Sequence, residues 1–306
     1  MSKAGAPRHD PVPIGEVATP PFARLPDPFT LFHARAERFL SLARGHHELA
    51  PYLRFLAGLA ETQHRIQDGL PEPDLPESDA IVRAREFGMP PLARNQFVTG
   101  PVIETTLDRL FALARELDMP EPARAGLARA TASDPPTRDA MMRAVLADSV
   151  PTERLSEHVF VAGALQVHFA RMAARLDAGA LVPVGDGACP TCGGPPVSSM
   201  VVGWIGAHGT RFCACALCAT LWNYVRIKCT LCGSTKGIAY QEIEGHGDTV
   251  KAETCDSCRG YLKVLHQHKD PALEPVADDV ATLGLDLLVR EAGYRRGGVN
   301  PFLLGY

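Results

Sequence analysis

The chain has 306 residues, 46% of them hydrophobic, and a formal net charge of −4 at neutral pH. That length and apolar content suffice for two or three soluble globular domains. The charge gives no general attraction to nucleic acid, and no apolar run approaches the roughly 18 to 20 residues that span a bilayer.

The first segment, residues 1–28, contains seven prolines and no apolar core of the kind a secretory leader carries. It predicts neither export nor membrane insertion, so the expected location is cytoplasmic. Helical periodicity begins at Pro28: Phe29, Phe32, Ala36, Phe39, Leu40 and Ala43 recur at steps of three and four. Shorter helices are predicted over residues 47–68 and 77–86, separated by the turn Pro71-Glu72-Pro73. Pro101 can start a further helix, because its fixed φ and missing N–H suit a first turn. There Val102, Ile103, Leu107, Leu110, Phe111, Ala114 and Leu117 form one apolar stripe. Helices over 121–131, 136–146 and 155–176 follow, the last with Val159, Phe160, Leu165, Phe169, Met172 and Leu176 on one face. Residues 29–184 thus read as an all-helical domain.

That domain shows no P-loop, glycine-rich dinucleotide fingerprint, HExxH or GxSxG. His46-His47, the pair His64 and Asp68 four apart, and His158 with His168 ten apart read as polar groups of amphipathic helices. No catalytic residue is assigned, and the chain is read as a non-enzyme.

The last third carries the decisive pattern. Cys189 and Cys192 form a CxxC and Cys215 and Cys218 another; forty residues on, Cys229/Cys232 and Cys255/Cys258 repeat the arrangement position for position. Two residues between cysteines let the chain turn tightly enough for both sulfurs to face one ion. Cys192-Gly193-Gly194 and Cys232-Gly233-Ser234 place small residues where such a turn needs a positive φ. Each copy supplies four thiolates, the donor set of a closed tetrahedral site for zinc or a rubredoxin-type iron. Two metal ions are therefore expected, held by Cys189, Cys192, Cys215 and Cys218 and by Cys229, Cys232, Cys255 and Cys258.

Other uses of these cysteines fit less well. A disulfide framework lacks an oxidising compartment, and a thioredoxin-like pair needs a strand before it and a helix after it. Pairing Cys189/Cys192 with Cys229/Cys232 is geometrically open, but an internal repeat favours consecutive pairing, since duplication copies a folding unit. Cys213 lies outside the repeat, its counterpart being Glu253, and reads as a small, partly buried residue at a strand end. His208, His246, His266 and His268 replace no missing thiolate and read as solvated or structural.

Residues 187–270 hold eight Lys/Arg against six Asp/Glu, too even a balance for a phosphate-gripping face. Trp204, Phe212, Trp222, Tyr224 and Tyr240 could stack on bases, although aromatics in small β-domains more often fill the core. Nucleic-acid binding by a zinc ribbon is a minor alternative, and no nucleic-acid partner is expected. After the cysteines, Asp278-Asp279 can cap a helix through Val280, Leu283, Leu287 and Leu288 to Glu291, ended by Gly293.

The fold class is α+β and multidomain: an all-helical N-terminal domain, two tandem small β modules of rubredoxin-like or zinc-ribbon type, and a C-terminal helix. The expected segments are 1–28, 29–184, 185–226, 227–270 and 271–306.

Several ordered runs resemble the FdhE family of formate dehydrogenase accessory proteins. They are Cys189-Pro-Thr-Cys192-Gly-Gly with Pro196-Val-Ser-Ser-Met200, Cys215-Ala-Leu-Cys218 with Trp222 and Arg226, and Lys228-Cys229-Thr-Leu-Cys232-Gly. Lys251-Ala-Glu-Thr-Cys255-Asp-Ser-Cys258 with Tyr261-Leu-Lys263, and the ending Asp278-Asp279, Gly293-Tyr294 and Asn300-Pro-Phe302, extend the likeness. The resemblance implies a cytoplasmic, non-catalytic assembly factor that binds the catalytic subunit of respiratory formate dehydrogenase. It also implies rubredoxin-like modules that bind iron, with all eight paired cysteines as ligands and no role for Cys213. Closed sites leave electron transfer by an Fe(Cys)4 centre as the alternative function.

Overall fold

The structure is a computed structural model that describes residues 19–45, 48–245 and 247–303. The helical part comprises α1 (Pro28–Arg44), α2 (Ala50–Arg65), α3 (Ser78–Glu86), α4 (Pro101–Ala114), α5 (Glu121–Ala132), α6 (Pro135–Leu146) and α7 (Leu155–Ala173). Helix starts follow local chemistry, Pro101 as read from the sequence and two aspartate caps that the sequence reading did not single out. Asp27 caps α1 by accepting from the Phe29 amide at 3.1 Å, and Asp134 caps α6 by accepting from Thr137 N at 3.0 Å. Pro101 occupies the first turn of α4 behind Gly100.

The helix α7 departs from its predicted one-sided stripe. Nearly every residue from Glu157 to Ala173 is buried, because α2, α4, α5 and α6 pack around it. A helix apolar or satisfied on all sides belongs at the centre of a bundle. Its polar members are paired there: Gln63 Nε2 donates to Gln166 Oε1 at 2.9 Å, and Arg129 and Arg154 both bind Glu157. Gly126 of α5 permits the close approach to α7, since a Cβ there would stand 2.7 Å from Ser156 backbone atoms.

The strands are β1 (Ala23–Arg24), β2 (Pro196–Val201), β3 (Arg211–Cys215), β4 (Leu221–Asn223), β5 (Ile238–Gln241), β6 (Val250–Cys255), β7 (Gly260–Leu265) and β8 (Arg295–Arg296). They form one sheet in the order β1-β4-β3-β2-β7-β6-β5, with β8 beside β7. Each cysteine repeat contributes three antiparallel strands, and the two sets join where β2 runs parallel to β7, Ser199 facing Val264 and Met200 facing Leu265. The proline-rich first segment is not wholly separate from this sheet, because Ala23 and Arg24 pair with Trp222 and Leu221.

The predicted C-terminal helix is two, α8 (Ala277–Ala281) and α9 (Leu283–Glu291), broken at Thr282. Asp278 and Asp279 are not caps. They sit within α8 and turn inward, where Arg38 binds Asp278 while Arg296 and Lys263 bind Asp279. Helix capping is the local reading of an acidic pair, but cations from α1, β7 and β8, of which Lys263 is fully buried, claim both carboxylates. Gly293 ends α9 in the left-handed region, φ +84, as predicted. With Arg35 bound to Glu274 and Tyr52 donating to the Phe302 carbonyl at 2.7 Å, this region ties the sheet to α1 and α2.

Candidate metal centres

The eight paired sulfurs collect into two groups, Cys189, Cys192, Cys215 and Cys218 in one and Cys229, Cys232, Cys255 and Cys258 in the other. Within each group all four sulfurs lie within 4.8 Å of one another. The grouping is consecutive, not interleaved. Sulfurs 2.3 Å from a central ion stand about 3.8 Å apart at tetrahedral corners. Cys229–Cys258 and Cys232–Cys255 are each separated by 3.8 Å, and Cys189–Cys218 and Cys192–Cys215 by 3.5 and 3.4 Å. Both sets therefore fit one ion with four thiolate ligands and no vacant coordination position.

Local backbone chemistry builds these groups. After each first pair the chain turns back on itself: Gly193 N donates to Cys189 O at 2.8 Å and Cys189 N to Gly194 O at 2.9 Å. Gly233 N to Cys229 O and Cys229 N to Ser234 O repeat this at 3.0 and 2.8 Å, with Gly193 and Gly233 both at positive φ. The second pairs use residues other than glycine: Ala219 and Arg259 each follow the last cysteine at φ +56. Backbone amides approach the sulfurs, Cys218 N at 3.5 Å from Cys215 Sγ and Leu231 N at 3.4 Å from Cys229 Sγ.

The thiols are poised unequally. Burial pushes Cys189 well above the ordinary thiol value, and hydrogen bonding from Cys189, Cys192 and Cys218 holds Cys215 well below it. In the second group burial pushes Cys229 up to about 12. Burial also opposes ionisation of Cys255, but the Cys258 and Ser257 amides and the Cys232 and Cys229 thiols outweigh it and bring that thiol down to about 7. A cluster in which one thiol is readily ionised beside three that share hydrogen bonds has the chemistry of a cation site.

The two surroundings differ more than the repeat suggests. The first group is fully enclosed, its cysteines at most 3% exposed, between the sheet and the helical part. Leu92 N donates to Thr191 O at 2.9 Å and Arg94 N to Cys192 O at 3.0 Å, so the stretch before α4 clasps the first pair. Gln166 of α7 donates to Ala216 O at 2.8 Å, clasping the second. Thr220 Oγ1 lies 3.3 Å from Cys218 Sγ and donates to Thr191 Oγ1 at 2.9 Å. Burial opposes the Arg94 charge, but the Asp148 carboxylate 2.5 Å away and then Cys192 and Cys215 raise its pKa. In the second group Cys232 is exposed and Cys258 half-buried.

None of Thr191, Thr220, Gln166 and Arg94 was singled out by spacing; only their side chains' approach to the knuckles shows their part. Cys213 corrects its expected place. It lies inside β3 opposite Ser199 and Trp222, fully buried, and burial pushes its thiol up to about 12, so it is a core residue with no sulfur partner. Phe212 and Trp222 are core residues, whereas the Tyr240 hydroxyl binds Glu253 and Tyr224 binds Asp186.

Among the described residues no histidine joins either group. His208, His268 and His266 meet edge to face in sequence with centroids 6.0 and 5.4 Å apart, while His246 and the pair His46-His47 lie outside the described residues. His158 Nδ1 pairs with Arg154 O, and the His64 ring lies tilted against His33 at 5.2 Å between centroids. His168 lines a largely apolar groove of about 690 Å³ with Phe87, Met89, Phe97, Phe169 and Met172. Among the described residues no helix is long and apolar enough to cross a membrane.

Comparison with known proteins gives one consistent answer. Family models described as "FdhE, N-terminal", "FdhE, central domain" and "FdhE, C-terminal domain" match residues 20–186, 188–226 and 227–303. The chain is 47% identical over 299 residues to a protein FdhE homolog of Rhizobium meliloti, covering 97% of each. It is 35% identical over 283 residues to a homolog from Pseudomonas aeruginosa, covering 89% of this chain and 90% of that one. The crystal structure of the FdhE protein from Pseudomonas aeruginosa superposes with a TM-score of 0.83 at 34% identity, covering 94% of this chain and 99% of that chain.

Proposed function

The chain belongs to the FdhE family, and from that premise we propose that it is a non-catalytic accessory protein in the cytoplasm that binds the catalytic subunit of formate dehydrogenase during its assembly. In this reading Cys189, Cys192, Cys215 and Cys218 hold one metal ion and Cys229, Cys232, Cys255 and Cys258 a second. The observation that carries it is the pair of complete four-sulfur sets, each within 4.8 Å. Four thiolates close a tetrahedral ion to substrate, which suits structural or one-electron work and not metal-assisted hydrolysis.

The first centre serves as a structural joint, because its two knuckles are clasped from the loop before α4 and from α7. Such a joint sets the helical and β parts in one arrangement, as a docking surface requires. Co-purification from cells expressing this chain and a formate dehydrogenase catalytic subunit tests the reading. A stable complex is expected, and its absence when both proteins are soluble would sink it.

The exposure of Cys232 favours electron transfer as the second reading, since a redox centre must come within reach of its partner. It requires iron. Reversible bleaching of visible absorbance on reduction would support it, and colourless metal-loaded protein would exclude it.

A further inference from the structure

The two centres share a donor set but not an environment, and the difference concerns which sulfur an oxidant can reach. All four cysteines of the first group are at most 3% exposed and sit behind residues 92–94, Thr220 and α7. In the second group Cys232 is solvent-exposed and Cys258 half-buried. Cys255 Sγ, itself buried, lies 3.8 Å from Cys232 Sγ. An accessible thiolate beside a second thiolate is the arrangement in which an oxidation at one sulfur is resolved by its neighbour.

We infer that Cys232 is an oxidation site for hydroperoxides and that Cys255 resolves it to a disulfide, opening the second centre while the first stays closed. Cys232 Sγ attacks the terminal peroxide oxygen, forming an S–O bond and breaking the O–O bond; the departing oxyanion takes a proton from water. Cys255 Sγ then attacks Cys232 Sγ, forming the S–S bond and displacing hydroxide, which is protonated. Two thiolates, one hydroperoxide and two protons give one disulfide, one alcohol (water when the oxidant is hydrogen peroxide) and one water. The sulfurs lose two electrons and the peroxide gains them. The disulfide would leave only Cys229 and Cys258 of the four sulfurs able to hold an ion, too few to retain it.

This inference rests on the reading that the second group holds an ion, and the test separates the two. Full-length protein purified without oxygen is first analysed for metal, then treated with hydrogen peroxide at one to two equivalents. Free ion is followed with a colorimetric chelator and each cysteine by timed alkylation and mass spectrometry. A metal count near zero at the outset would refute the ion reading alone, because the order of cysteine oxidation is still measured. The expected order is Cys232 and Cys255 first, joined in one disulfide-linked peptide pair. Cys189, Cys192, Cys215 and Cys218 should be slower by about tenfold or more, with half of the bound metal released. Equal rates in the two groups, earlier oxidation of the first group, or Cys232 remaining reduced while other cysteines react would overturn it.

Discussion

Arg211 Nη2 lies 2.9 Å from Glu253 Oε1, with the two side chains 1% and 3% exposed, and this pair joins the two cysteine repeats across the intervening strands β2 and β7. Ser199 Oγ accepts from Arg211 Nε, the Lys228 carbonyl accepts from Arg211 Nη1 and the Tyr240 hydroxyl donates to Glu253, so the pair takes further bonds from β2, from β5 and from the turn at Lys228. Glu253 stands where the repeat places Cys213 in the first copy. The duplication has therefore diverged at the position that binds the copies together.

Removing one member of a buried pair strands the other charge, which costs about 3–5 kcal/mol. Glu253→Ala is expected to lower unfolding free energy by that order in urea melts. The double change Arg211→Met with Glu253→Leu is expected to regain much of it. Equal stability of the parent and Glu253→Ala would show that the pair carries no load.

The two centres should fail differently. Cys192→Ser and Cys232→Ser should each lose one bound ion, but only Cys192→Ser should release the clasp of Leu92 on Thr191 and Arg94 on Cys192. Hydrogen exchange in residues 92–96 is expected to accelerate about tenfold or more in Cys192→Ser and to stay unchanged in Cys232→Ser. Cys229→Ser and Cys258→Ser should likewise leave far-UV helicity intact. Equal effects on that loop would remove the distinction between joint and exposed centre.

Acid should weaken the helical part through His168. Burial in its groove, with Arg171 adding in the same direction, pushes the imidazole from 6.5 down to about 4. The unfolded chain takes up this proton below pH 6.5 and the folded chain only near pH 4. Stability is then full above 6.5 and falls as pH drops through that window, by up to about 3 kcal/mol at roughly 1.4 kcal/mol per pH unit. His168→Phe should flatten the slope without abolishing it, because the half-buried His266 is pushed down to about 4 as well. An unchanged slope in pH-dependent urea melts would contradict the assignment.

Gly187 sits at φ +67 just before the first centre, and a Cβ there would fall 1.9 Å from Thr230 O in the first pair of the second. Gly187→Ala is expected to cost more than about 2 kcal/mol, since backbone must move. Gly209→Ala is the control: φ is +74 but nothing lies within 4 Å, so only the left-handed penalty of about 1 kcal/mol applies. Matching melting temperatures for the two variants would show that the knuckles are not packed as described.

Much of this was legible in residues because local rules governed it. Pro28 and Pro101 start helices by chemistry internal to one turn, and the forty-residue cysteine period marked all eight sulfurs. The rest depends on contacts far apart in sequence. Nothing in a strand-like run says that β2 will lie beside β7, so the copies read as separate beads although they share one sheet. Asp278 and Asp279 read as caps because Arg38, Lys263 and Arg296 are distant in the chain. Cys213 read as a strand end because its neighbour Cys215 is a ligand position, yet pairing with Ser199 and Trp222 places it mid-strand. The two centres looked equivalent because spacing encodes ligands and not what covers them.

Metal analysis with a visible spectrum on anaerobically purified protein tests the central claim most directly. Two ions per chain are predicted, falling to one in Cys232→Ser, with thiolate-to-iron bands if the metal is iron and none if it is zinc. Fewer than one ion per chain, with all eight paired cysteines freely alkylated, would contradict it.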